Sequence, residues 1–291
     1  MQKNDIESLI DAVNLAESSA VKKMFQIPIR ALYSKAIKYS RSSAHVKAKT
    51  FWGSAMNVCL PEIVSERIYK FGYFDEDVCI FLLKTLQPGM TFVDVGAHFG
   101  FFSMLANHLV RSNGRVISID PTPSTFKMLN GNMTIHAKFK NYSLHNVAAF
   151  DENANLIFFD YGVTNSAYNS LVGARQATME QSKLSIEVKA VKIDSLLAQE
   201  GVSRLDLIKI DAESAELNVL RGLTDMIHKF SPKIILEIGD THLSKTLDLI
   251  DFMKQHGYIP YEMYNYEIRP HVIKKDYDAM NITLYNLLFT R

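Results

Sequence analysis

The chain has 291 residues, of which 47% are hydrophobic, and a formal charge of +1. That is room for one large domain with or without a small appendage, and it offers nucleic acid no overall electrostatic attraction. Two cysteines, Cys59 and Cys79, are too few for a disulfide framework and lack metal-ligand spacing. No run approaches the ~18 apolar residues of a membrane span, and the opening Met1-Gln2-Lys3-Asn4-Asp5 lacks a signal peptide's apolar core, so an intracellular, reduced, cytoplasmic protein is expected.

In chain order, residues 5 to 24 place Ile6, Leu9, Ile10, Val13, Ala16, Ala20, Val21 and Met24 at helical spacing, with Asn4 or Asp5 positioned to cap. A second helix starts at Pro28 and carries Leu32, Ala36 and Tyr39. From Lys22 to Lys49 there are eight Lys or Arg and no Asp or Glu, so the rest of the chain carries the compensating −7. Such a stretch is either a solvated face or a docking surface for an anionic acceptor or surface. Thr50 to Val64 reads as one or two short strands covering the core. Residues 1–70 are thus expected to form an N-terminal helical, basic extension with short strands, ahead of a domain over 71–291.

A helix with Val78, Phe81, Leu82 and Leu86 on one face leads through Pro88-Gly89 to the most informative stretch. Thr91-Phe92-Val93-Asp94-Val95 is a short strand, Gly96-Ala97-His98-Phe99-Gly100 a glycine turn, Phe101 to Val110 a helix, and Val116 to Ile119 a second strand ending on Asp120. Gly96 and Gly100 permit a sharp turn and close approach to a ligand at a helix start. Asp120 is placed to accept hydrogen bonds from both hydroxyls of a ribose. The spacing G-x-x-x-G after an acid departs from the G-x-G-x-x-G suited to a pyrophosphate, and Asp94 would repel phosphate and attract an ammonium. S-adenosylmethionine, with its amino group, sulfonium and unphosphorylated ribose, fits this pattern better than NAD.

Pro121-Thr122-Pro123 starts a helix bearing Phe126, Leu129 and Met133, which crosses back to a third strand, Ser143 to Ala149. The end of that strand, from Asn146 to Ala148 and Ala149, is expected near the nucleoside base. Leu156 to Phe159 and the alternating Leu184 to Ala190 predict a hairpin around a polar loop, Tyr161 to Lys183, of a kind that covers or selects substrate. A short helix ends at Gly201; Leu205 to Asp211 is a fourth strand, followed by a helix stopped by Gly222. Lys233 to Ile238 is a fifth strand, Leu243 to His256 a helix, and Tyr258 to Tyr266 with Thr283 to Phe289 an antiparallel edge pair. The alternation implies an α/β, doubly wound, mostly parallel sheet with its ligand beyond the strands' carboxyl ends.

Four ordered motifs carry a resemblance: Asp94-Val-Gly-Ala-His-Phe-Gly-Phe-Phe-Ser103; Ile119-Asp-Pro-Thr-Pro-Ser-Thr-Phe126 with Leu129 and Asn132; Asp206-Leu-Ile-Lys-Ile-Asp-Ala-Glu-Ser-Ala-Glu216; and Ile235-Leu-Glu-Ile238. Together they resemble the FkbM family of S-adenosylmethionine-dependent methyltransferases over roughly residues 70 to 290. The resemblance implies a class I, Rossmann-like methyltransferase fold and O-methylation of a sugar, glycan or small metabolite. It implies cofactor contacts from Asp94, Gly96, Ala97, His98, Phe99, Gly100, Ser103, Asp120 and Pro121, besides Asn146 and Ala148. The chain departs from the family at Asp120, where Glu is commoner, at His98, where Asn is usual, and at Ser214, where the family has Gly.

Methyl transfer to oxygen requires an in-line nucleophile about 3 Å from the methyl carbon, and a base helps without needing to be strong. The candidates are Asp211 and Glu213 after the fourth strand, Glu237 on the fifth and His242 beyond it; Lys209 shares the strand face of Asp211. Glu213 equally suits the first turn of a helix as a charge opposed to its dipole. A Mg2+ ion shared by Asp211 and Glu237 is one possible use of two hard oxygen ligands. Two rival readings are a cofactor-binding domain without turnover and, against the missing pyrophosphate fingerprint, an NAD-linked oxidoreductase. The sequence sets neither the acceptor nor the oligomeric state.

Overall fold

The computed structural model describes residues 2–19, 22, 27–171, 184–212, 214–238, 243–264, 267–271 and 285–291. Its centre is an eight-stranded sheet. The parallel part comprises β3 (Thr91–Val95), β4 (Arg115–Ile119), β5 (Tyr142–His145), β9 (Leu207–Ile210) and β10 (Lys233–Ile238); β11 (Ile259–Tyr264), β12 (Glu267–Pro270) and β13 (Tyr285–Thr290) are antiparallel. The spatial order is β12-β11-β13-β10-β9-β3-β4-β5. Strand order therefore reverses between β3 and β9, the place where doubly wound sheets bind ligands. The expected edge pair is present as β11 with β13, and β13 intervenes between β10 and β11.

Period-two burial builds the two faces of this sheet. Phe92, Val116 and Leu207 point into one apolar cluster, and Val93, Val95, Ile117, Ile208 and Ile210 into the other. The first cluster is covered by α5 (Phe101–Val110) and α4 (Glu76–Thr85), and it also takes Leu9 and Val13 from α1 (Gln2–Glu17). The N-terminal 70 residues thus share a core with the rest of the chain. They contribute α1, α2 (Pro28–Tyr39), the antiparallel pair β1 (Ala44–Lys49) and β2 (Ala55–Leu60), and α3 (Ile63–Phe71).

Three local expectations change. The first helix ends at Glu17, with Ala20, Val21 and Met24 outside the described residues, and Asp5 does not cap it: Asp5 lies inside the first turn and accepts from His108 at 3.2 Å. The third strand is two strands, because β5 stops at His145 and the chain then joins a separate three-stranded sheet made of β6 (Ala148–Phe150), β7 (Ala154–Asp160) and β8 (Leu184–Lys192). The break falls at Asn146, whose Nδ2 donates to the carbonyls of Asp120 and Pro121 at 2.9 and 3.0 Å and so turns away from ladder pairing. The fourth strand is shorter than expected, Leu207–Ile210. The β7–β8 hairpin forms as expected, and the described part of its loop, 161–171, includes a short 3-10 turn over Val163–Tyr168.

Candidate active site

The strand tips β3, β4 and β9 bring the predicted residues together in register. Asp94 pairs laterally with Lys209 on one side and Ser118 on the other, so the three side chains share one face of the sheet. Ser118 Oγ donates to Ser103 Oγ at 2.8 Å, and Ser103 Oγ donates to Asp94 Oδ2 at 2.6 Å. Asp94 Oδ1 is buried and has no hydrogen-bond partner among the described residues. Burial raises the Asp94 pKa above the ordinary carboxylate range, against the pull of Lys209 and Ser103.

The glycine turn is shaped by its neighbours. Gly96 and Ala97 donate their N–H groups to the Ile119 carbonyl at 2.9 and 3.0 Å, and Gly96 has φ +74°. A Cβ on Gly96 would stand 1.8 Å from the Asp211 carbonyl oxygen, so this backbone approach admits only glycine. His98 has φ +51°, in the left-handed region that Asn and His visit more readily than most residues, which accounts for His where the family usually has Asn. Its ring stacks on Phe99 with centroids 3.8 Å apart, and burial lowers its pKa, so it is neutral near pH 7.

Asp120 is held as tightly. Its Oδ2 accepts from His98 N at 2.8 Å, and its Oδ1 accepts from Thr122 N at 3.1 Å and from Thr125 Oγ1. These three donors fill three of a carboxylate's roughly four lone-pair directions and leave about one for a ligand, fewer than acceptance from two hydroxyls requires. Burial pushes its pKa up to about 7 despite those donors. Thr122 precedes α6 (Pro123–His136) without a side-chain cap bond; its own N–H and the Thr125 hydroxyl tie the start of that helix to Asp120.

On the other side of Gly96, Lys209 is buried. Its Nζ lies 2.8 Å from Asp211 Oδ2 and 5.3 Å above the Phe102 ring. Burial disfavours its charge, but Asp211, Asp94 and Glu237 outweigh burial and hold the ammonium above the ordinary lysine range. Burial likewise opposes ionisation of Asp211, and Lys209 together with a hydrogen bond from Glu237 overrides it, lowering the Asp211 pKa. The Asp211 side chain is 27% exposed, which leaves it reachable.

These groups border one cavity of about 380 Å³, within the range usual for small-molecule sites. Of the residues expected to hold the cofactor, Gly96, Ala97, His98, Phe99, Asp120, Pro121 and Ala148 line it, together with Lys209, Asp211 and Glu237. Asp94, Gly100, Ser103 and Asn146 lie behind that lining, where they fix the turn and the strand tips rather than face the cavity. Glu213 and His242 fall outside the described residues. No group of three or more His, Cys, Asp or Glu among the described residues is placed to hold a metal, and the cation beside Asp211 is Lys209, where the sequence also left room for Mg2+.

Several lining residues carry no signal in the sequence. Met56 of β2, and Ile63, Val64 and Ile68 of α3, form an apolar wall from the segment expected to be an extension. Phe158, Ser166, Asn169 and Leu171 come from the small sheet and its loop. Ser166 Oγ is 2.7 Å from His98 Nε2, and Asn169 Nδ2 donates to Thr122 Oγ1 at 3.4 Å, so the described part of this loop borders the cavity. Ser214 adopts φ +81°, a conformation free to the family's Gly and costing a serine about 1–2 kcal/mol.

The sheet order, the glycine turn at its switch point and the acid at the second strand tip define a class I methyltransferase. Residues 94–260 match the Methyltransferase FkbM domain, and the chain belongs to that family. The 31-O-demethyl-FK506 methyltransferase FkbM of Streptomyces tacrolimicus is 24% identical over 196 residues, covering 60% of this chain and 74% of the relative. The hexuronic acid methyltransferase AglP of Haloferax volcanii is 22% identical over 169 residues, covering 56% and 62%. Among solved structures, methyltransferase FkbM of Methylobacillus flagellatus covers 78% of this chain and 52% of its own, with 13% identity and a TM-score of 0.45.

Proposed function

We propose that the protein transfers the methyl group of S-adenosylmethionine to a hydroxyl of a sugar, glycan or small metabolite. The observation that carries this reading is the meeting, in one cavity, of the Gly96–Asp120 nucleoside end with the Lys209–Asp211–Glu237 cluster, Gly96 lying directly against the Asp211 backbone. The names of two relatives, a 31-O-demethyl-FK506 methyltransferase and a hexuronic acid methyltransferase, support an acceptor of this class.

The residues fit the cofactor chemically. Asp120 offers one free lone-pair direction to a ribose hydroxyl, and the main chain of the Gly96–Phe99 turn borders the same cavity, with Asp94 behind it fixing the strand tip through Ser103. When bound, S-adenosylmethionine supplies an electrophilic methyl carbon. The chain's own part is positioning: Asp211, kept ionised by Lys209, accepts the acceptor hydroxyl's proton or orients that hydroxyl, while the apolar wall of Met56, Val64 and Ile68 excludes water.

Two measurements test this. Ribose donors favour the ionised form of Asp120, whose pKa is about 7, so affinity for S-adenosylhomocysteine should rise about tenfold between about pH 6 and about pH 8. Asp120→Ala should weaken binding at least about tenfold at the upper pH, since a bond to a charged acceptor is worth about 1.5–3 kcal/mol, and should flatten that pH profile. Calorimetry showing an unaltered affinity and profile in Asp120→Ala would refute the assignment. With labelled S-adenosylmethionine and pools of candidate acceptors, Asp211→Asn should retain cofactor binding and lose turnover on the order of a hundredfold. Undiminished turnover with saturating acceptor would remove Asp211 from the chemistry; cofactor binding with no transfer to any pool would leave a binding protein.

A further inference from the structure

The helix α2, Pro28–Tyr39, is inside out. Among its twelve residues the buried one is polar: Ser34, whose Oγ donates to Glu66 Oε1 at 2.7 Å. Ile29, Leu32 and Tyr39 are 79, 66 and 85% exposed, and Tyr33 is exposed beside them. At about 100° per residue, Tyr39, Leu32, Ala36, Ile29 and Tyr33 form one continuous outward arc of roughly 120°, and the exposed Lys35 borders it. A surface helix ordinarily turns such a stripe toward the core. Here the inward face is already occupied against α3: besides Ser34 and the half-buried Ala31 and Ile37, Arg30 donates to the Tyr69 carbonyl at 3.2 Å and lies 5.7 Å from the Tyr69 ring centroid. The outward stripe can therefore be covered without rearranging the protein.

We propose that α2 docks the protein on the surface of an anionic lipid bilayer. An apolar arc bearing Leu, Ile and two Tyr, with Lys35 at its edge, is the composition that lies in the interface plane with its apolar side among the acyl chains. The surrounding segment from Lys22 to Lys49, with eight basic residues and no acid, adds attraction to anionic headgroups. No described helix is long and apolar enough to cross a membrane, so the contact is peripheral. Pairing of this face with a second copy is disfavoured by the same charges, because a two-fold contact sets basic residues against basic residues. Arg30 against Tyr69 and Ser34 against Glu66 run antiparallel, which puts the Tyr39 end of α2 toward Ile63. Ile63 is 60% exposed and lines the cavity, so a docked α2 holds the cavity mouth beside the bilayer.

Flotation of the full chain with vesicles of phosphatidylcholine alone, and of phosphatidylcholine with phosphatidylglycerol, tests the proposal. The protein should float with the anionic vesicles and not the neutral ones, less so as salt rises to physiological levels. Lys35→Glu with Arg41→Glu should weaken binding at least about twentyfold, and Leu32→Asp with Tyr39→Asp at least about tenfold, with melting temperatures unchanged because these side chains are exposed. Three results would overturn it: no flotation with either vesicle, equal flotation with both, or a dimer in sedimentation velocity that the Leu32→Asp, Tyr39→Asp protein no longer forms.

Discussion

Gly96→Ala should destabilise the protein by about 2–5 kcal/mol, because two costs add at one atom. The first is conformational: φ is +74°, and an L-residue in the left-handed region costs about 1–2 kcal/mol. The second is steric: the added methyl would lie 1.8 Å from the Asp211 carbonyl oxygen, and overpacking of a rigid site costs about 1–3 kcal/mol. Neither partner can retreat. Gly96 N is tied to the Ile119 carbonyl at 2.9 Å, and Asp211 N to the Val95 carbonyl at 3.1 Å, so relief of the clash would part the central strands. A fall in melting temperature of about 5–15 °C is expected for a chain of this size. Gly131→Ala is the control: Gly131 lies within α6 with open space around its Cβ position, and alanine there should be neutral or stabilising by up to about 1 kcal/mol. A Gly96→Ala protein that melts with the wild type would show that the strand tips are looser than these contacts imply.

The parts of the site that the sequence made legible are those encoded by neighbours along the chain. The strand, glycine turn, helix and second strand from Thr91 to Asp120 are each set by local pattern, and the alternation of later elements was enough to put Asp211 at the carboxyl end of a strand in a doubly wound sheet, a strand the structure pairs with that of Asp94. What was not legible depends on which residues meet across space. Met56, Ile63 and Ile68 are apolar whether they fill a core or line a cavity, so nothing in their own stretch separates the two uses. The division of the third strand follows from the Asn146 clamp on two carbonyls, a tertiary contact with no periodic trace. The spacing of Leu32, Ala36 and Tyr39 announced a helix in α2 but not that its apolar side faces outward, since that is decided by the polar contacts of Ser34 and Arg30 with α3.

Lys209→Met should cost about 3–5 kcal/mol near neutral pH and reverse the pH dependence contributed by Asp211. The lysine is a buried cation serving three carboxylates, and removal of one partner from a buried ion pair leaves the others uncompensated. Because the Asp211 side chain is 27% exposed, the lower end of that range is the better expectation. In the wild type, the Asp211 pKa is lowered on folding, so its contribution to stability is present above the ordinary carboxylate range and is lost as pH falls through the lowered value. Without Lys209, burial is left as the dominant influence on Asp211 and is less opposed at Asp94, so both folded-state pKa values should stand above their unfolded ones. The native state then binds more protons than the unfolded state, and stability should fall as pH rises from about 4 to about 7. Denaturant unfolding across that range should therefore show the difference between wild type and variant widening with pH. Adding Asp211→Asn to Lys209→Met should recover part of the loss, because the stranded charge goes with the carboxylate. A constant difference at every pH, with no recovery in the double variant, would mean that Lys209 stabilises the cavity by packing against Phe102 rather than by neutralising the acids around it.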